Sequence, residues 1–165
     1  MADTLKGKRV LITGGTSGIG QSLALAFADA GCRVMVTGRT ARETRQFRQT
    51  HSNIEAKPLD LADDKSIRPR LAALERLDIL VNCAGTIRRE NREHDPVEFA
   101  KVIDVNLCGT MRVCAAGRPL LARSRGCVLN IASMLSFFGS GTVPAYSASK
   151  GGIAQLTSNY EIWTR

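Results

Sequence analysis

An α/β fold, with a parallel sheet covered by helices on both faces, is the class this chain predicts. Three observations carry the prediction. Short apolar, β-branched runs alternate with segments of helical period along the 165 residues. The connections between them are short. The run Ile79-Leu80-Val81 is continuously apolar, as strands buried on both faces are.

The elements follow in order. Val10–Thr13 reads as the first strand. Gln21–Ala30 is a helix with Leu23, Ala24, Phe27 and Ala28 on one stripe, and Gly31 ends it. Val34–Thr37 is the second strand. Ala41–Gln49 is a helix, Ile54–Leu59 a strand, and Lys65–Arg76 a helix that tolerates Pro69 near its start. After Ile79–Val81, Asp95-Pro96-Val97-Glu98 starts a helix well, with Asp at the N-cap, Pro at the first position and Glu at the third. Phe99, Val102, Ile103, Asn106 and Leu107 share one face, and this helix is expected to run to about Arg123. Gly126–Ile131 is the next strand, Met134–Val143 a loop, and Ala145 onward a helix. Parallel neighbours require right-handed crossovers. One domain with a real core fits the length.

Thr13-Gly14-Gly15-Thr16-Ser17-Gly18-Ile19-Gly20 joins the first strand to the first helix. Gly14, Gly18 and Gly20 allow a tight turn and close approach of a ligand to the backbone. The helix start then offers free N–H groups and a positive dipole end to a pyrophosphate. The spacing is not G-x-G-x-x-G. Gly15–Ser22 is one residue short of a Walker A loop, but Gln21 stands where the phosphate-gripping lysine belongs, so an NTPase reading fails there.

Tyr146 and Lys150 are four residues apart in Y-S-A-S-K, so a helix from Pro144 puts both on one face. A neighbouring ammonium lowers a phenol from its ordinary pKa of about 10. Such a tyrosine exchanges protons near neutral pH. Alone, Y-x-x-x-K is better explained by chance.

Composition excludes several classes. Hydrophobic content of 44% and charged content of 23% are ordinary for a globular protein, and no apolar run approaches a membrane span. The N-terminal stretch has no secretory h-region, which leads us to expect a cytoplasmic protein. Cys32, Cys83, Cys108, Cys114 and Cys127 are odd in number, contain no C-x-x-C and lie mostly in apolar stretches, so they read as reduced core residues. His51 and His94 stand in polar surroundings, and no metal site is expected. The net charge of +8 comes partly from Arg39, Arg42, Arg45 and Arg48, a solvated helix face; no nucleic-acid motif accompanies it.

The glycine turn, Asp60-Leu61, Asn82-Cys83-Ala84-Gly85, Asn106, Ser133 and Tyr146-Ser147-Ala148-Ser149-Lys150 occur in one order on the expected elements. Together they resemble the short-chain dehydrogenase/reductases, over nearly the whole chain to about Thr157. The resemblance implies a three-layer, Rossmann-like doubly wound sheet, hydride transfer with a nicotinamide dinucleotide, and a small carbonyl or alcohol substrate. It implies Tyr146 as general acid/base and Lys150 as the group that tunes it and binds the nicotinamide ribose. Ser133 is then the residue on the substrate oxygen, and Asn106 the one that keeps a water in the proton relay. Gly14, Thr16, Ser17, Gly18, Ile19 and Gly20 form the pyrophosphate turn, Asp60 and Leu61 lie at the adenine, and Asn82, Ala84 and Gly85 line the cofactor. Homo-oligomers are expected of the family. Where an NAD enzyme places a carboxylate after the second strand, this chain has Gly38-Arg39, which favours NADP(H) over NAD(H); Arg39 stacking on the adenine, with either cofactor accepted, explains the same residue. Thr86-Ile87-Arg88-Arg89-Glu90 resembles the I-R-R-E stretch of the gluconate and deoxygluconate dehydrogenases. One of Arg88, Arg89 or Arg92 is then the candidate to grip a substrate carboxylate; a solvated basic loop explains them equally well.

Residues 1–157 are read as this dinucleotide-binding domain and 158–165 as an atypical tail, where Glu161 and Arg165 interrupt the expected small and apolar residues. The resemblance implies further strands after the last helix. Without them the sheet lacks its final strands, and weak cofactor binding and poor turnover are expected. The rival reading is a non-catalytic dinucleotide-binding or interaction module.

Overall fold

The computed structural model describes residues 4–160. Among them, β1 (Arg9–Thr13), β2 (Arg33–Gly38), β3 (Glu55–Pro58), β4 (Ile79–Asn82) and β5 (Cys127–Asn130) form one sheet in the order β3-β2-β1-β4-β5. Every pairing is parallel, with Ile12 opposite both Val36 and Val81. The helices are α1 (Gly18–Asp29), α2 (Ala41–Thr50), α3 (Asp64–Ala72), α4 (Pro96–Ile103), α5 (Gly109–Ser124) and α6 (Pro144–Tyr160).

The strand period sorts the apolar side chains into two layers. Val10, Ile12, Val34, Val36 and Val81 pack with Ala24 of α1 and Phe47 of α2. Leu11 and Leu80 pack on the other face with Ile67 and Leu71 of α3 and with Val113, Cys114, Leu120 and Leu121 of α5. Each fully buried aliphatic side chain contributes about 1.5–3 kcal/mol. The result is the three-layer, doubly wound α/β architecture that the alternation of elements predicts. The strand order reverses between β1 and β4, so a crevice opens at the carboxyl ends of those two strands.

Local signals explain the boundaries. Asp95 caps α4, its Oδ1 accepting from Val97 N and Glu98 N at 2.9 and 3.0 Å. Gly31, at φ 81°, ends α1. Helix α3 stops at Ala72, four residues short of the expected Arg76. The chain must turn there to enter β4, and Arg76 instead folds back on the carboxylate of buried Asp78 through Nε and Nη2. The long helix expected from Pro96 forms, but with a π-helical segment, Asp104–Cys108, between α4 and α5. The loop expected at 134–143 contains a 3-10 turn, Met134–Ser136.

None of the five cysteines forms a disulfide, but the expectation that they lie in the core holds only in part. Cys114 is buried, whereas Cys108 and Cys127 are exposed. Cys127 lies on β5, the edge of the described sheet, where an apolar sequence does not guarantee a covering layer. Of the tail, Ser158–Tyr160 simply continue α6, and 161–165 lie outside the described residues. No helix among the described residues is long and apolar enough to cross a membrane.

Candidate active site

The crevice is a cleft of about 500 Å³ that takes one loop from each strand end. Gly14, Thr16, Ser17, Ile19 and Gly20 line it from the turn after β1, Gly38 and Arg39 from β2, Leu59–Leu61 from β3, Cys83–Arg88 from β4 and Ile131 from β5. Tyr146 and Lys150 close it from α6. Residues from 14 to 150 in the sequence therefore meet in one space.

The turn after β1 is held by close contacts. Gly14 has φ 65°, and a Cβ there would lie 2.6 Å from Ala84 Cα. A Cβ on Gly20 would lie 2.4 Å from Gly14 O. Both positions are closed to any side chain. Gly18, at φ 53°, is different, since a Cβ there would meet nothing within 4 Å. Ser17 occupies the N-cap of α1 without using its side chain to cap. The first N–H groups of α1 thus face the cleft without a side-chain cap from Ser17.

Tyr146 and Lys150 lie on one face of α6, with Lys150 Nζ 5.7 Å from the phenol ring centroid. Lys150 is 5% exposed, and its ammonium donates to Ile131 O. Burial pushes this amine below the ordinary lysine value, while neighbouring Cys83 acts in the opposite direction. Cys83 itself is pushed up by burial, with Lys150 opposing. Among the described residues nothing bonds the Tyr146 hydroxyl, which is left to the cleft.

Four of the residues that the resemblance assigns to the catalytic and nucleotide site do not line the cleft directly. Gly18 shapes the turn. Asn82 is buried and bridges β4 to β5, donating from Nδ2 to Asn130 Oδ1 at 2.8 Å. Asn106 sits in the π segment with both ends of its amide engaged: Oδ1 accepts from Thr86 N at 2.7 Å, and Nδ2 donates to Thr86 O at 2.9 Å and Ser149 Oγ at 3.0 Å. It clamps the cleft-lining loop to α6. Ser133 caps the 3-10 turn, its Oγ accepting from Leu135 N at 3.2 Å while Ser136 Oγ reaches Lys150 O at 2.8 Å. Acting there as acceptor, the Ser133 hydroxyl keeps its proton to donate.

Of the three candidate arginines after β4, Arg88 is the one that lines the cleft. It is half-buried and held by Glu98 Oε2 at 3.0 Å and Thr86 Oγ1 at 3.0 Å. Arg92 is exposed and leans on the same Glu98, and Arg89 is exposed. Hydrogen bonds from Lys101 first and then Arg88 lower Glu98 from its ordinary value.

Two acidic residues escaped the sequence reading. Glu43 lines the cleft beside Arg39, its Oε2 accepting from Arg39 N at 2.8 Å. A carboxylate is therefore present near the end of β2 after all, supplied from α2. The signal was the sequence pattern Thr40-x-x-Glu43 at a helix start; Thr40 Oγ1 accepts from Glu43 N, while the Glu43 carboxylate reaches Arg39 N rather than Thr40 N. Glu93 is 1% exposed and accepts from Arg88 N and Tyr146 N. No spacing in the sequence marked it. Among the described residues no group of three or more His, Cys, Asp or Glu is placed to hold a metal.

Known proteins resemble this chain over nearly its whole length. A family model described as short chain dehydrogenase matches residues 8–162. The 2-dehydro-3-deoxy-D-gluconate 5-dehydrogenase of Bacillus subtilis (strain 168) is 41% identical over 96% of this chain and 66% of that protein. Its namesake from Escherichia coli (strain K12) is 36% identical over 94% of this chain and 65% of that protein. The chain spans 63–66% of the length of the curated deoxygluconate dehydrogenases it matches. A crystal structure of a gluconate 5-dehydrogenase from Burkholderia cenocepacia J2315 in complex with NADP and tartrate superposes with a TM-score of 0.86, at 32% identity, over 99% of this chain and 69% of that one.

Proposed function

The chain belongs to the short-chain dehydrogenase family, and from that premise we propose that residues 1–157 form the dinucleotide-binding and catalytic unit of an oxidoreductase. The reaction is hydride transfer between NADP(H) and a carbonyl or secondary alcohol, with a sugar acid as the substrate class. One observation carries this: a tyrosine whose hydroxyl has no partner among the described residues, one turn from a buried lysine, lines the switch-point cleft together with the glycine turn.

The residues fit a dinucleotide. Gly18 leaves open space, and the start of α1 presents N–H groups to a pyrophosphate. Asp60 and Leu61 flank the adenine end, and Ala84 and Gly85 line the path between. When bound, the nicotinamide supplies the hydride centre that protein side chains lack. The chain's own residues manage the oxygen. Ser133 donates a hydrogen bond to it, and Tyr146 gives or takes its proton. Lys150 keeps a positive charge beside the phenol. Asn82 and Asn106 act one step back, Asn82 tying β4 to β5 and Asn106 fixing the loop against α6. The Arg88 guanidinium suits the carboxylate of a sugar acid, and the relatives named for such substrates support that choice. Homo-oligomer formation belongs to the same reading.

Arg39 supports NADP(H), because its guanidinium suits a 2′-phosphate. Glu43 supports the second reading, NAD(H), because a carboxylate beside Arg39 N suits a free 2′-hydroxyl. Fluorescence titration decides between them. Tighter binding of NADPH than NADH by at least tenfold, reversed in Arg39→Asp, is the expected result. Equal affinities that Arg39→Asp leaves alone would remove the phosphate role, and tighter NADH binding lost in Glu43→Gln would install the second reading. Failure to bind either nucleotide would remove the dinucleotide site.

A further inference from the structure

We infer that Glu93 is a positioning residue that ties the start of the proton-transfer helix to the substrate-facing loop; this rests on the oxidoreductase reading. Glu93 lies on a 3-10 turn, Arg92–His94, and is among the largest fully buried side chains of the described residues. Its two oxygens are divided. Oε1 accepts from Arg88 N at 2.7 Å, and Oε2 accepts from Tyr146 N at 2.8 Å. One carboxylate therefore holds the backbone of two residues that both line the cleft.

Helix α6 needs such a partner. Its first turn leaves N–H groups without helical acceptors. Val143, whose carbonyl accepts from Ser147 N, stands at the N-cap and has no side-chain acceptor. A carboxylate 53 positions upstream takes the place of the missing cap. Its charge also suits the positive end of the helix dipole.

The approach to Glu93 is made at a local cost. Glu90 and Asn91 both adopt left-handed backbone, at φ 60° and 59°, which is uncommon for residues bearing a Cβ. Together they turn the chain so that residue 93 points inward. His94 Nε2 lies 3.0 Å from Gly141 O, pinning the same turn to the segment that leads into α6. Strain and a second anchor at one turn are what a fixed positioning element requires.

Glutamine has one acceptor oxygen where glutamate has two, so Glu93→Gln must abandon one of the two N–H groups. In the full chain, Glu93→Gln and Glu93→Asp are compared with the parent by amide hydrogen exchange and by steady-state kinetics. Expected in Glu93→Gln are exchange at the Arg88 or Tyr146 amide at least tenfold faster with β1 and α1 unchanged, kcat at least tenfold lower, and an NADPH Kd within threefold. Glu93→Asp, which keeps both oxygens on a shorter arm, is expected to recover part of the turnover. Unchanged exchange at both amides overturns the inference. So does a general rise in exchange across the fold with NADPH affinity falling in step, which is the mark of ordinary packing. The exchange measurement needs neither nucleotide nor substrate. A parent chain that binds no NADPH therefore removes the oxidoreductase reading while Glu93 is still judged on its own.

Discussion

At the amino ends of the strands, Asp78 is 3% exposed, and its carboxylate accepts from Arg9 N and from two nitrogens of Arg76, with Lys8 3.6 Å away. At the carboxyl ends, Lys150 is almost as buried, yet its ammonium meets a carbonyl oxygen and no carboxylate among the described residues. The matched charge is held in its ionised form: Arg76, first among the causes, keeps Asp78 below the ordinary carboxylate value of 3.8. The unmatched charge is disfavoured, because burial lowers Lys150 from 10.5. One end of the sheet uses charge to hold the fold. The other leaves charge incompletely answered beside an open cleft, as sites for chemistry do.

The largest effect should come from breaking the open end. In the proposed reaction Tyr146 moves the proton, so in Tyr146→Phe turnover of a carbonyl substrate should fall by about 10²–10⁴-fold. Melting should show stability within about 0.5 kcal/mol of the parent, since the hydroxyl bonds nothing in the described chain. A large loss of stability would show the hydroxyl to be structural.

Breaking the matched end should do the reverse. Asp78→Asn leaves buried donors short of an acceptor and should cost about 2 kcal/mol in urea unfolding, with nucleotide binding retained. The acid limb sharpens this. Asp78 is depressed in the fold, so its contribution is complete above the unfolded value of 3.8 and is lost as pH falls through its folded value. The parent should lose more stability in that window than Asp78→Asn. Parallel acid limbs would rule out Asp78 as the source.

The smallest effect lies at the alkaline side. Because Lys150 is depressed, the unfolded chain keeps its proton to higher pH, so stability should rise from the folded value of Lys150 toward 10.5. Lys150→Met should flatten that rise in denaturation measured across alkaline pH. A slope that survives the substitution belongs to other groups.

The parts of the site that sequence reasoning located are those that local geometry fixes. Tyr146 and Lys150 needed only one helical turn, and Gly14–Gly20 only a strand followed by a helix. Glu93 depends on Arg88 and Tyr146 being brought together from 5 and 53 positions away, and no local period encodes that. Asn106 was singled out in the sequence as a candidate site residue, but not as the centre of a π segment. Phe99, Val102, Ile103 and Leu107 fit a regular helix, and the irregularity coincides with bonds from Asn106 to Thr86 and Ser149. Cys108 and Cys127 show the opposite error: apolar neighbours suggested burial, but the decision rests with what packs outside, which a strand's own residues do not state.

The irregular turn at Asp104–Cys108 also constrains anyone who rebuilds this protein. A redesign that smoothed 96–124 into a uniform spiral would rotate everything beyond the splice by about 100° per residue of slippage. Asn106 would swing off its three partners, and alanine-rich idealisation of the segment would raise helical content while unlatching the cleft wall. Helix-strengthening substitutions in this protein belong on the solvent side of α2 or α3, away from that offset.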